Sequence, residues 1–288
     1  MSSLALASQI SPADLEADRR LIEMWLHGRP LSTQRTYRAT IKPFLGAIAT
    51  LKTVTLEEAQ AYTSSLSDKS SATQAHAIRV LKSLFRYAHE TGYLPFNVAI
   101  PLKSPKIKDT LAERILEPVE VLRLIDAVKQ SPRNHLMLYL TYASGCRVDE
   151  LVGLKWRDAK RRSDGGQITI FGKGGKTRTV NLPAKVWRSL SQHQPDPCSL
   201  DDPIFVSRKG GHITPRQVQR IVKQAAEKAG LSPEISPHWL RHAHASHAMD
   251  AGSPMHVVQK TLGHTSPATT GRYLHVRPTE SSSKYLPL

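Results

Sequence analysis

"SPHWLRHAHASHAMDAG", Ser236 to Gly252, sets four histidines (His238, His242, His244 and His247) and Arg241 in one short run. Ser236 before Pro237 offers a capping hydroxyl ahead of a proline suited to a first helical turn, and Gly252 closes the stretch, which therefore predicts a helix. On it His238, Arg241 and His242 stand at i, i+3 and i+4 and share a face. A zinc site would use His238 and His242 with a third ligand elsewhere. The metalloprotease helix, however, carries a glutamate beside its first histidine, where Trp239 stands here, and Arg241 would repel a divalent cation. An imidazole beside a guanidinium suits an anion better, because a phosphate asks for bidentate cationic donors and a neighbour that can pass a proton. No metal is expected.

Outward from this helix the same Ser-Pro device recurs at Ser253-Pro254 and Ser266-Pro267, predicting two more short helices that start at Pro254 and Pro267. Upstream, "TPRQVQRIVKQAAEKAG" reads as a helix, and "QITIFGKGGKTRTVNLP" changes to period-2 alternation around a Gly-rich turn, a hairpin. "PIFVS" reads as a further short strand, and "PVEVLRLIDAVKQ", "PRNHLMLYLTYASG" and "RVDELVGL" as helices. Residues 13–102 are helical throughout, with Thr55 over Glu58 as a capping box and residues 73–92 as the clearest amphipathic helix. Between the two segments, 103–115 is a basic linker carrying Lys103, Lys106 and Lys108. The expected architecture is mainly α with a small β-sheet or hairpin: a helical N-terminal domain (13–102) and an α+β C-terminal domain (116–288).

Charge points the same way. The chain holds 40 Lys and Arg against 24 Asp and Glu, net +16, which implies a polyanionic partner, nucleic acid or an acidic membrane surface. "HLMLYLTYA" is too short an apolar run to cross a bilayer, and the N-terminus lacks the basic and apolar regions of a signal peptide. Two cysteines, Cys146 and Cys198, form no disulfide framework and suit a reducing cytosol. The expected setting is cytoplasmic and nucleoid-associated, with no membrane.

Four residues outside the helix could join a phosphate site: Arg147, Lys173 in "FGKGGK", His264 in "LGH" and Tyr273 in "GRYLHV". Each alone has a plain explanation, for instance an i,i+3 pair between Arg147 and Glu150. Their order along the chain does not. With "GCRVDELVGLKW", "GKGGKTRTVNLP", "HWLRHAHASHAMDAG" and "VVQKTLGHTSPATTGRYLHV", the sequence resembles the tyrosine recombinase (phage integrase) family, nearest in length and layout to the Xer type.

The resemblance implies a site-specific DNA recombinase that cleaves and rejoins strands through a 3′-phosphotyrosyl link. Tyr273 would be the nucleophile, and Arg147 and Arg241 would clamp the non-bridging oxygens. Lys173 would protonate the departing 5′ oxygen, although Lys176 in the same turn could also reach it. His238 would exchange a proton with the tyrosine hydroxyl, His264 would donate to the phosphate, and Glu150 would support the site. His242 and His247 match structural positions of the family; His244 reads as a core histidine. No cofactor, metal or ATP is implied, and the partners would be double-stranded recombination sites held by a homo-tetramer, or a hetero-tetramer with a related recombinase. Arg35, Arg79 and Lys82 of the first domain are expected to contact DNA. The apolar tail residues Tyr285, Leu286 and Leu288 could dock on a neighbouring protomer or fray. Other readings left open are strand passage of the type IB topoisomerase kind, a non-catalytic DNA-binding protein of the same fold, and a metal hydrolase built on the histidines.

Overall fold

The computed structural model describes residues 11–172 and 175–275, and the side chains of Leu274 and His275 are not among those described. Lys173 and the tail residues Tyr285, Leu286 and Leu288 lie outside that range. The chain divides into two compact units, Met1–Lys108 and Asp109–Leu288.

The first unit is helical. Helices α1 (Pro12–Leu26), α2 (Leu31–Leu45), α3 (Leu56–Ser64) and α4 (Ser71–Glu90) surround one apolar core. The capping box holds: Thr55 Oγ1 accepts from the Glu58 amide at 3.2 Å, and Glu58 returns the contact by accepting from the Thr55 amide at 2.8 Å. Helix α4 turns Ile78, Leu81, Leu84, Phe85 and Ala88 inward, all at most 4% exposed, which is what its 3.6-residue period requires. Arg35 on α2 and Arg79 on α4 are exposed, and Lys82 donates to the Ile100 carbonyl at 3.2 Å.

The second unit continues with α5 (Pro118–Asp126), α6 (Pro132–Ser144) and α7 (Val148–Gly153). A three-stranded antiparallel sheet follows: β1 (Ala159–Arg162), β2 (Gly165–Phe171) and β3 (Thr177–Pro183), in that order. Helices α8 (Ala184–His193), α9 (Pro215–Lys228), α10 (Pro237–Asp250), α11 (Met255–Leu262) and α12 (Pro267–Gly271) complete it, with a 3₁₀ turn at Arg272–His275. The central helix α6 is buried, with Leu136, Met137, Leu138 and Leu140 at most 1% exposed. Strand β2 pairs with β3 from Gly165↔Pro183 to Phe171↔Thr177, and the alternation sends Ile168, Ile170, Val180 and Leu182 into the same core.

The fold departs from the sequence reading at a few elements. "PIFVS" is not a strand: Ile204 and Phe205 are buried in the core, and the segment forms two isolated bridges, Lys155↔Pro203 and Val206↔His212. Helix α11 starts at Met255 with Pro254 as its cap, one residue later than the Ser-Pro pattern suggested. Strand β1, "AKRR", and helix α8 were not anticipated. Among the described residues no helix is long and apolar enough to cross a membrane.

Candidate active site

Helix α6 ends at Gly145, which adopts a left-handed conformation (φ 59°) that reverses the chain and delivers Arg147 to the start of α7. A Cβ at Gly145 would lie 2.7 Å from Leu262 Cδ2 and 2.8 Å from the His244 ring, so the turn also needs the missing side chain for close packing. One turn into α7, Glu150 accepts from the Arg147 amide at 2.7 Å and from Arg147 Nη1 at 3.1 Å. From β3, Arg178 grips the same carboxylate with two bonds, Nη1 to Oε1 at 2.9 Å and Nη2 to Oε2 at 2.7 Å. Burial alone would raise the Glu150 pKa, but the Arg178 fork, the Arg147 amide and both positive charges outweigh it and bring it to about 2. The carboxylate is ionised.

Arg241, only 4% exposed, comes from α10 and donates Nη1 to the Gly145 carbonyl and Nη2 to the Leu262 carbonyl at 2.6 Å. Burial, then the charge of Arg147, lowers its pKa to about 10, so it stays a cation at neutral pH. Two guanidiniums thus bond the Glu150 carboxylate, and a third, Arg241, feels its charge.

The remaining groups lie in the same charge field. His238 is held below its ordinary pKa by burial, then by Arg241 and Arg147. His264, following the left-handed Gly263 at the end of α11, bonds Thr270 Oγ1 through Nδ1 at 2.8 Å. Burial and the charges of Arg241, Arg147 and Arg178 lower its pKa to about 4. Tyr273, on the closing 3₁₀ turn, is 5% exposed and packs in a small cluster with Leu111, Ile115, Ala245, Val258 and Leu262. Burial raises its pKa, while Arg241, Arg272 and Arg147 pull the other way. The same turn is held at its first residue, Arg272, which donates Nη2 to Asp109 Oδ1 at 2.6 Å.

Tyr273's hydroxyl meets His242 Nδ1 at 2.7 Å. Burial, then the neighbouring His238 and Arg241, lowers the His242 pKa to about 4. With the neutral imidazole in its Nε2–H tautomer the tyrosine O–H donates and Nδ1 accepts; in the Nδ1–H tautomer the direction reverses.

Arg147, Glu150, His238, Arg241, His264 and Tyr273 therefore converge, while Lys173 is outside the described residues and Arg35, Arg79 and Lys82 belong to the first unit. The hairpin base is near, since a Cβ on Gly172 would stand 3.6 Å from Glu150 Oε1. His244 and His247 are spoken for: His244 Nδ1 bonds the Tyr142 carbonyl at 2.8 Å, and His247 bonds Tyr142 Oη and the Leu116 carbonyl, each at 2.9 Å. Sequence reasoning missed Arg178 entirely and gave His242 no part with the tyrosine. The signals existed. Arg178 lies on the same strand face as the inward-facing Val180 and Leu182, and His242 lies one turn from His238.

Among the described residues, no three His, Cys, Asp or Glu side chains converge to hold a metal ion. A cavity of about 410 Å³ lined by Trp156, His193, Pro203 and Ile204, among others, includes none of the site residues. What the cluster can do is bind an anion tightly beside a nucleophilic hydroxyl.

The phage integrase family profile matches residues 114–280. Over 224 residues the chain is 35% identical to the tyrosine recombinase XerC of Thermodesulfovibrio yellowstonii, spanning 73% of each. In fold it is similar to the XerH site-specific recombinase bound to a palindromic difH substrate in a post-cleavage complex, with a TM-score of 0.75 at 22% identity over 95% of this chain and 86% of that one. A lambda integrase tetramer bound to a Holliday junction matches equally well, with a TM-score of 0.75 at 22% identity over 93% of this chain and 79% of that one.

Proposed function

We propose, for a chain that belongs to the phage integrase family and is a site-specific tyrosine recombinase cleaving and rejoining DNA, that Tyr273 is the nucleophile. Its hydroxyl oxygen attacks a backbone phosphorus, the P–O bond to the 5′ oxygen breaks, and the 3′ phosphate is left on the tyrosine. Arg147 and Arg241 hold the non-bridging oxygens, where negative charge grows in the transition state. His264 donates to the same phosphate. His238, beside both arginines, exchanges a proton with the reacting oxygens, and His242 holds the phenol in the resting protein. Lys173 of the hairpin protonates the departing 5′ oxygen. Because one phosphodiester is exchanged for another, religation needs no ATP, and the guanidiniums supply the positive charge that a metal supplies elsewhere.

The observation that carries this reading is the shared charge field: a buried tyrosine, two histidines and three guanidiniums around the buried Glu150 carboxylate. In the same reading, residues 13–102 form a helical DNA-binding domain, with Arg35, Arg79 and Lys82 facing the duplex. Residues 103–115 are the basic connector, and 116–288 the catalytic domain. The functional assembly is a tetramer on two paired sites in the cytoplasm, as the tetrameric lambda integrase on its junction suggests.

The test is covalent capture. A nicked suicide duplex, carrying the sequence this protein selects from a random pool, should yield a protein–DNA adduct that forms in the presence of chelator. Tyr273→Phe should abolish it, a loss on the order of 10⁴-fold or more for removing a nucleophile. An adduct persisting in Tyr273→Phe overturns the assignment, and relaxation of supercoils with no site requirement would instead indicate strand passage alone.

A further inference from the structure

Arg178 has no part in the scheme above, yet it makes more charged contacts than any clamp residue. Besides the two bonds to Glu150, its Nε donates to the Thr261 carbonyl at 2.6 Å. The next carbonyl, that of Leu262, receives Arg241. Consecutive carbonyls at the end of α11 therefore anchor two buried guanidiniums, and His264 follows two residues on. Gly263 permits this approach, since a Cβ there would lie 3.1 Å from Arg178 Cδ.

We propose that Arg178 is a positioning residue that occupies the Glu150 carboxylate so that the Arg147 guanidinium stays open to the DNA phosphate. A carboxylate three residues from an arginine, with no other cation, would close on it as a two-pronged pair, because that geometry gives the strongest contact either group can make. The resulting pair would be neutral, and its arginine donors would face the carboxylate instead of a phosphate. Here the two-pronged contact belongs to Arg178. Arg147's guanidinium touches Glu150 with one nitrogen only, at 3.1 Å, and its side chain keeps 41% of its exposure while those of Arg178 and Glu150 keep 9% and 6%. The trio retains one net positive charge (+1 +1 −1), available to an anion. The Nε anchor on Thr261 stops the fork from swinging away. Glu150 is thereby fixed to two tasks, accepting the Arg147 amide at the start of α7 and separating two like charges.

The inference rests on the reading of Arg147 as a phosphate clamp, and a double-variant comparison separates the two. Single-turnover cleavage of the nicked duplex would be measured at saturating protein for the wild type, Arg178→Ala, Glu150→Gln and the combination. Arg178→Ala should slow cleavage by about tenfold or more with DNA affinity nearly unchanged, since a captured arginine costs transition-state stabilisation. Adding Glu150→Gln should restore the rate to that of Glu150→Gln alone. A neutral amide still accepts the Arg147 N–H but cannot draw the guanidinium in. A double variant as slow as Arg178→Ala, or slower, would mean that Arg178 serves packing and would overturn the inference. Thermal melting checks the fold, and Arg178→Gln replaces Arg178→Ala if the latter melts early. Absence of an adduct in the wild type would sink the functional reading itself, whereas an adduct with unimpaired Arg178→Ala sinks only this inference.

Discussion

The two units treat buried charge in opposite ways. In the first, Asp18 is 7% exposed and both its oxygens are used: Oδ2 accepts from the Leu51 amide at 2.8 Å and Oδ1 from Tyr93 Oη at 2.6 Å. Arg29 lies over the Trp25 and Tyr37 rings at 5.5 and 5.2 Å and donates Nε to the Trp25 carbonyl at 3.0 Å. Every such charge finds its partner at home. In the second unit Arg178 and Arg241 are buried, Arg147 is half-buried, and among the described residues Glu150 is the one carboxylate bonded to any of the three. Clustering cations out of water costs several kcal/mol per ion unless they are compensated. A fold that keeps such an excess holds a site already shaped for an anion, at the expense of its own stability.

The largest break in this contrast comes from Arg241→Ala. Losing one preorganised cation at the phosphate should cut cleavage on the order of 10²-fold or more. It also strips the buried Gly145 and Leu262 carbonyls of their donor, so stability should fall as well, by about 1–3 kcal/mol for each unsatisfied group. Cleavage kinetics at saturating DNA and urea unfolding would read the two effects separately. A variant that is less stable yet cleaves at the wild-type rate would make Arg241 a structural strut and the contrast empty.

Acid should sharpen the contrast next. His242, His244 and His264, all in the second unit, have pKa values lowered from 6.5 to about 4, first by burial and then by nearby charges or, for His244, against a bond to the Tyr142 carbonyl. Above pH 6.5 these rings are neutral in both folded and unfolded chains, and their contribution to stability is complete. As pH falls from 6.5 towards 4 the unfolded chain takes up protons that the folded one refuses, so stability declines. Each deeply buried ring contributes up to about 1.4 kcal/mol per pH unit, and the half-exposed His264 less. Urea midpoints followed by a second-unit probe such as Trp239 should drop through this window, and His244→Gln should flatten the fall. A flat profile in the wild type would refute the buried-neutral assignment.

What the sequence disclosed divides along a similar line. The Thr55–Glu58 box and the α4 face were legible because both are local: a cap and a 3.6-residue period need no knowledge of the rest of the chain. Arg147, Arg241, His264 and Tyr273 were legible through their order, which a chain-wide pattern carries even when each residue alone says little. Strand β1 was not, because "AKRR" is exposed along most of its length and shows no apolar alternation. Arg178 was hidden for a different reason. Its parity with Val180 and Leu182 marks the inward face, but its meaning comes from Glu150, 28 positions away, and from Thr261, 83 positions away, and that parity names neither. His242 stood on the right face, but only the path of the chain through Arg272–His275 decides which imidazole the tyrosine meets.

The smallest expected effect tests the other half of the contrast. If the first unit's charges are purely internal, Asp18→Asn should weaken that unit and leave the chemistry alone. The amide oxygen can keep one of the two bonds, to Leu51 or to Tyr93, while its NH₂ end cannot accept the other. One neutral bond then replaces two charge-assisted ones and a donor is left unpaired, so the loss should be about 1–3 kcal/mol, read from urea unfolding with Trp25 as the probe. Cleavage by protein already saturated with DNA should stay within about twofold of wild type, because differences well under a kcal/mol in the barrier change rates no more than that. A cleavage rate that falls tenfold with no change in affinity would mean that Asp18's hydrogen bonds reach the reacting phosphate through the DNA grip, and the two units could no longer be treated as separate electrostatic systems.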